Sequence, residues 1–276
     1  MNNFFSGLGK GFSDYGPALS FLFKHKLAWL LLAPVVLNIL LFAGGYAAIS
    51  AFSDYLQAET VSAVSLENAD FFGAQVLSRL LEGTVWLILK ILFFFIFAYT
   101  GGYIIIILMS PILAYLSEKT EKIITGKEYP FDIQQLMRDV SRGVLIALRN
   151  LFYELLIIFG IFILGVIPII GWLVSLASPF ILFFIASYFY GFSFTDYINE
   201  RRRLNVKDSV LFMRHNKGTI TGNGMPFALI LLIPFFGLTF SGFIAIIGVV
   251  ASVISVTNIS KESELNLPTE ELSSHE

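Results

Sequence analysis

The chain alternates long apolar runs with short charged segments, and the length of each run predicts the element it forms. Leu27 to Phe52 is 26 residues without a charge. As a helix it rises about 39 Å, more than the roughly 30 Å hydrocarbon layer of a bilayer, so it predicts a tilted transmembrane helix over 27–52. A second run, Thr84 to Met109, is interrupted only by Lys90 and leads through Pro111 to a helix stop at Gly126. It predicts a transmembrane helix over 84–109, kinked near Pro111 and extending to about 125.

The remaining apolar sequence lies in two blocks, Leu155 to Thr195 and Thr219 to Ser260, of 41 and 42 uncharged residues. Both carry the same mark at a lag of 66 residues: Ile167-Pro168-Ile169-Ile170-Gly171 and Ile233-Pro234-Phe235-Phe236-Gly237. Proline removes a backbone donor and glycine permits left-handed backbone, so Pro168, Gly171, Pro234 and Gly237 are the predicted hairpin turns. The first arms look too short to cross: 13 residues precede the break in the first block, about 20 Å of helix. In the second, Gly222, Gly224 and Pro226 leave only Phe227 to Ile233 uninterrupted. The second arms, Trp172 to Phe194 and Leu238 to Ser260, have 23 residues each. Two re-entrant hairpins are favoured over four full spans, because irregular backbone at membrane depth is tolerated where protein or a water cavity surrounds it.

Positive charge sets the expected orientation. Lys10, Lys24 and Lys26 precede the first run; Tyr115 to Asn150 carries six cations, and Asp196 to Lys217 another six. These segments are predicted to face the cytoplasm, while 53–83, with Arg79 against five acids, is predicted to be external. The expected plan is all-α and polytopic, a single membrane domain over 1–260. It comprises an interfacial helix 4–24, transmembrane helices 27–52 and 84–109, hairpins 144–195 and 219–260, a cytoplasmic loop 196–218 and a disordered cytoplasmic tail 261–276. Phe5, Leu8, Phe12, Tyr15, Leu19 and Leu22 recur at helical spacing in the first segment, although its glycines weaken the pattern. Ile133, Val140, Val144, Leu148, Leu151 and Leu155 form a stripe leading into the first hairpin. Asp132 with Gln135 resembles a capping box, and Asn205 with Asp208 can cap a short helix ending at Gly218.

Composition agrees with lipid as the solvent: of 276 residues, 56% are hydrophobic and 14% charged, against roughly 25% charged in an ordinary soluble domain. The net charge of -2 lacks the basic face a nucleic-acid partner needs. There is no cysteine, which excludes disulfides and thiolate chemistry, and the three histidines lie too far apart in sequence to form a close ligand pair. The first apolar run is too long for a signal peptide and is expected to stay attached. No catalytic constellation is present, and no cofactor or metal is expected.

A few residues admit two readings. Lys90 either snorkels to the outer interface or faces a pathway. Asn38 can bond across helices, Arg201 to Arg203 satisfy the charge rule or attract an anionic lipid, and Arg149 with Glu154 can pair with each other or with a neighbouring subunit. A re-entrant hairpin would place a helix N-terminus near Gly171 or Gly237 at membrane depth, where free N–H groups favour an anion.

With these landmarks placed, the sequence resembles the CysZ-type sulfate permeases, the bacterial branch of the etoposide-induced-protein membrane family. The resemblance runs from about Gly11 to Ser260. It is carried by Gly11-Phe12, by Pro34-Val35-Val36-Leu37-Asn38-Ile39-Leu40-Leu41, by Ser110-Pro111-Ile112-Leu113-Ala114 with Thr125-Gly126, by Ile167-Pro168 with Gly171, by Asp196-Tyr197, and by Ile233-Pro234. It implies two long transmembrane helices plus two hemi-penetrating hairpins, assembled as a homo-oligomer in a bacterial inner membrane, and entry of sulfate as the function. The alternative is a non-transporting scaffold that handles lipids or membrane proteins, as in the family's eukaryotic branch. Permeases of the family tend to carry Gly-x-Arg-Arg before the first span, where the arginines meet sulfate. Here those positions read Lys26-Leu27-Ala28-Trp29, and Lys24, His25 and Lys26 supply cations one turn earlier. Those three are the candidate anion-binding residues, with membrane lipid and a small anion as expected partners.

Overall fold

The computed structural model describes residues 4–40, 43, 74–127, 133–233 and 236–265, with backbone alone at 74–83, 85, 86, 88–100, 136, 170 and 262–265. The regular elements among the described residues are helices. These are α1 (Phe4–Ser13), α2 (Tyr15–Lys24), α3 (Ala28–Leu40, opening with a 3₁₀ turn over Ala28–Leu31), α4 (Ala74–Thr125), α5 (Ile133–Val166), α6 (Ile170–Arg201), α7 (Val206–His215), α8 (Lys217–Leu231) and α9 (Phe236–Leu265). Among the described residues, four stretches suit a crossing by length and composition: Gly101–Thr125 of α4, Ile133–Val166, Gly171–Arg201 and Phe236–Lys261. The chain divides into two compact bodies, one of Met1–Pro34 with Gly102–Glu276 and one of Val35–Gly101. Within the second, the described backbone is helical over 35–40 and 74–101.

Helix ends follow local chemistry. Gly126 adopts φ 71 and closes α4, as its position in the sequence predicts. The Asn205 side chain accepts the Asp208 N–H at 2.9 Å and starts α7. Helix α2 ends in a Schellman motif: Leu27 N–H reaches the Leu22 carbonyl at 2.8 Å and Lys26 N–H the Phe23 carbonyl at 3.2 Å, with Lys26 at φ 57. A cation stands where glycine is usual, and its charge complements the negative end of the helix. Arg203, also at φ 57, closes α6 in the same way through Leu204 and Asn199.

Several expected breaks are absent. Helix α8 runs unbroken through Gly222, Gly224 and Pro226, because each glycine costs only about 1 kcal/mol and the proline removes a single bond. The 13-residue first arm of the first hairpin is the end of the 34-residue α5, which at 1.5 Å per residue is about 51 Å long. The segment 196–218 is largely helical, since α6 continues to Arg201 and α7 follows. Likewise α9 extends past 261 to Leu265. Helix α6 contains Pro179, whose missing N–H would leave the Ser175 carbonyl free; the Ser178 hydroxyl donates to that carbonyl at 3.2 Å. Helix α4 continues through Pro111. Asp132, Pro234, most of 41–73 and the tail beyond 265 lie outside the described residues.

The core of the first body is built around α8. Gly218 and Gly222 face Gly7 and Gly11 of α1 so closely that a methyl group at Gly11 would lie 3.0 Å from the Asn223 amide nitrogen, and one at Gly222 2.9 Å from that of Phe12. The opposite side of α8 meets α6, where a methyl at Gly191 would lie 3.0 Å from the Gly224 nitrogen. Small residues at four-residue spacing are how helices approach when lipid removes the hydrophobic drive for association. Ile146, Phe192, Met213 and Ile220 pack beside this junction, and Ile198, Val253 and Val256 fill the space between α6 and α9. Polar groups of α8 and α9 join α2: Tyr15 OH donates to the Asn223 carbonyl at 2.6 Å, and Ser255 bonds the Asp14 carboxylate and, at 3.1 Å, Asn223 Oδ1.

Candidate functional site

Helix α5 carries two stripes. The apolar one predicted from the sequence faces outward: Ile133, Leu148 and Leu155 are exposed, as are Leu145, Phe152 and Phe159 beside them. The inner stripe is polar, with Asp139, Asn150 and Glu154 buried and Arg142 mostly covered. This inverts the arrangement of a water-soluble helix, and it is the arrangement lipid demands, since polar groups must find partners inside the protein.

Along this stripe the partners come mainly from α6. Tyr103 of α4 donates its hydroxyl to Glu154 Oε2 at 2.6 Å, and its ring lies 5.0 Å from that of Tyr190. One turn along α5, Asn150 donates to Ser193 Oγ at 3.0 Å and to the Phe189 carbonyl at 3.2 Å. Two turns further, Arg142 grips Asp196 through Nε at 2.9 Å and Nη2 at 3.2 Å. It also reaches the Leu204 carbonyl at 2.8 Å and lies 3.0 Å from Glu200. Ser209 of α7 donates to the same Asp196 at 2.6 Å and accepts from Asn199 at 2.9 Å. Beyond it Arg201, almost fully buried, pairs with Glu121 at 2.9 Å and donates to Ser117 at 2.6 Å. Covered arginine–carboxylate pairs, bidentate in Arg142–Asp196, hold helices in register, and both partners must be present for the burial to be tolerable.

The residues singled out by the sequence lie elsewhere. Lys24 ends α2, His25 is its C-cap with the ring 4.3 Å from Phe21, and Lys26 is the left-handed residue that turns the chain into α3. Lys24 and Lys26 are exposed at this joint, beside the first N–H groups of α3, which have no helical acceptor. Lys90 is helical within α4, and its side chain lies outside the described residues. The turns at Gly171 and Gly237 share a closing bond: Gly171 N–H donates to the Ile167 carbonyl at 2.7 Å, and Gly237 N–H to the Ile233 carbonyl at 2.8 Å. The structure does not bring these turns and the Lys24–Lys26 joint into one constellation with the α5–α6 stripe. Arg149 and Glu154 do not pair with each other; Arg149 donates to Asn150 Oδ1 at 3.2 Å. Arg201 and Arg202 are engaged with Glu121. Tyr103, Arg142, Glu121 and Asp196 escaped the reading of single residues. Their signal is the spacing of Asp139, Arg142, Asn150 and Glu154 along one face of α5, legible only once the face opposite is known to be lipid-facing.

Helices long and apolar enough to cross a bilayer, with their polar side chains turned toward one another, define a multi-pass α-helical membrane protein. More narrowly, the chain belongs to the family described as Sulfate transporter CysZ/Etoposide-induced protein 2.4, whose profile matches residues 15–241. Among its relatives, a protein of Pseudomonas fluorescens named Sulfate transporter CysZ is 28% identical over 130 residues, 46% of this chain and 51% of that protein. One of the same name from Vibrio parahaemolyticus is 25% identical over 155 residues, 56% of this chain and 62% of that protein. The chain therefore spans between half and two thirds of the curated relatives it matches. The family resemblance drawn from Pro34 to Asn38, Ser110 to Ala114 and the two Ile-Pro marks is thereby shown.

Proposed function

We propose that the protein is a permease or channel for a small inorganic anion, with sulfate the leading substrate, acting as a homo-oligomer in a bacterial inner membrane with both termini cytoplasmic. The observation that carries the proposal is family membership over 15–241, with relatives named as sulfate transporters. The clustering of cations around α5, α6 and α7 supports the orientation. Lys24, His25 and Lys26 are the proposed entry site: they gather positive charge at the joint where α3 begins, and the free N–H groups of its first turn add to the attraction. Lysine offers a point charge in place of the two-pronged arginine fork, so binding there is expected to be weak and exchange fast. The turns around Pro168 to Gly171 and Pro234 to Gly237, with Lys90, are proposed to shape the pathway in the assembled oligomer.

Sulfate entry into proteoliposomes tests the reading directly. The purified protein should carry sulfate above empty vesicles, and replacing Lys24 and Lys26 by glutamine should raise the half-saturating concentration about tenfold, as expected for losing two charges each contributing up to about 1 kcal/mol. A folded protein that passes no sulfate would overturn the proposal and leave the scaffold reading.

A further inference from the structure

Two sets of cations in the first body differ in their partners. Arg142, Arg201 and Arg202 are committed to Asp196, Glu200 and Glu121. Arg149, Lys207 and Arg214 have no acid within ion-pair distance among the described residues, yet they converge on one cleft of about 350 Å³ between α5 and α7, lined otherwise by Val206, Val210 and Leu211. Three cations held together without a counter-charge repel one another, and an anion in the cleft relieves that repulsion. Asp208, the acid of α7, is not part of the lining.

One cation of the cleft is held in place. The Arg149 guanidinium is held by Asn150 and lies over the rings of Tyr153 at 5.0 Å and Phe192 at 5.4 Å, so part of its ordering cost is already met before a ligand arrives. Lys207 and Arg214 are seven residues apart, on one face of α7. Half of the lining is aliphatic, and Arg149 stands on α5 among the exposed apolar residues Leu145, Leu148 and Phe152. A free inorganic ion uses only the charges of such a place. An amphiphile uses both, with its phosphate among the cations and its glycerol and acyl segments against Val206, Leu211 and the face of α5.

We infer that the Arg149–Lys207–Arg214 cleft is a binding site for the phosphate headgroup of an anionic phospholipid, seated where the apolar face of α5 meets the charged end of the helices. The bound lipid would tie α7 to α5 at the membrane surface. This site is separate from the Lys24–Lys26 joint and does not depend on the transport reading.

Binding of phosphatidylglycerol to the intact protein in detergent, followed by native mass spectrometry, provides the test, with phosphatidylcholine, inorganic phosphate and sulfate as comparison ligands. Replacing Arg149, Lys207 and Arg214 by glutamine should weaken phosphatidylglycerol binding on the order of 100-fold, from about fivefold for each surface cation. Replacing Lys127, Arg203 and Lys217 instead removes equal charge and should change it less than about twofold, because these lie outside the cleft. Lys207→Gln alone, at an exposed position, covers the case in which the triple variant fails to fold, and should cost about fivefold. Restoring charge with Arg149→Lys and Arg214→Lys should retain most of the affinity. Equal binding by wild type and Lys207→Gln, equal losses in the two triple variants, or displacement of the lipid by free phosphate or sulfate would each overturn the inference, the last by making the cleft a site for a soluble oxyanion.

Discussion

The two hairpins, α5 with α6 and α8 with α9, share the hydrogen bonds that flank their turns and pack in opposite ways. Each turn begins with an isoleucine N–H bonded three residues back, at 3.2 Å and 3.1 Å, and ends with the glycine N–H bonded to that isoleucine's carbonyl, at 2.7 Å and 2.8 Å. Yet Ile169 and Trp172 at the first turn are 83% and 87% exposed, whereas α8 is buried along most of its length. Apolar character does not separate the two, since their apolar blocks, 155–195 and 219–260, are both free of charge. What separates them is small and polar residues: Gly218, Gly222, Gly224 and Asn223 let α8 press against α1 and α6, while Phe159, Phe162, Phe180 and Leu176 bulk out the tip of the first hairpin. In lipid a large apolar side chain gains nothing by turning inward, so closeness of backbone and satisfaction of polar groups decide what becomes core.

Glycine offers the sharpest way to break this contrast. Gly224→Leu would drive a side chain into the backbone of α6 at Ser187 and Gly191, and should cost at least about 4 kcal/mol or abolish the folded protein. Gly160→Leu in the first hairpin meets open space and should stay within about 0.5 kcal/mol. Thermal unfolding in detergent, with monodispersity by size-exclusion chromatography, reads both; equal damage from the two would collapse the distinction.

The base of the first hairpin should be as sensitive as its tip is tolerant. Asp196→Ala leaves Arg142 and Ser209 without their shared acceptor and is expected to destabilise by about 3 kcal/mol, somewhat less than a fully buried pair because Arg142 keeps some exposure and Glu200 nearby. A double-mutant cycle with Arg142→Ala should recover a coupling of about 1 kcal/mol or more. Nearer the apolar end, Tyr103→Phe removes the hydroxyl that serves Glu154 and should cost about 1–2 kcal/mol. Tyr103→Phe combined with Glu154→Gln should then cost less than the sum of the two single changes.

The effect expected at the exposed turn has the opposite sign. Ile169 holds φ 72 and ψ -56, a strained backbone for a β-branched residue. Ile169→Gly should release that strain and raise stability by up to about 1 kcal/mol. A loss of stability there would mean that the isoleucine side chain is held by something beyond the single protomer.

The helical plan was legible because run length against bilayer thickness is a strong constraint. The helix stop at Gly126, the Asn205 cap and the turn at Gly171 were each read from local chemistry that tertiary structure did not alter, whereas the stop read at Gly218 lies inside α8. The breaks read into Gly222, Gly224 and Pro226 were absent for a physical reason: glycine in a membrane helix marks close approach as often as it marks a turn. The polar stripe of α5 escaped because Glu154 was weighed with its neighbour in sequence, Arg149, and Arg142 only as one of the cytoplasmic cations, while their partners, Tyr103 and Asp196, stand on other helices.

By itself the sequence determined that the chain is helical and apolar enough for lipid, and to which family it belongs, since each follows from composition, run length or a local motif. Only the tertiary structure decided which apolar faces are buried and which cations are left unpaired. An apolar face is equally at home against lipid or protein, and a cation's partner is set by which helices meet.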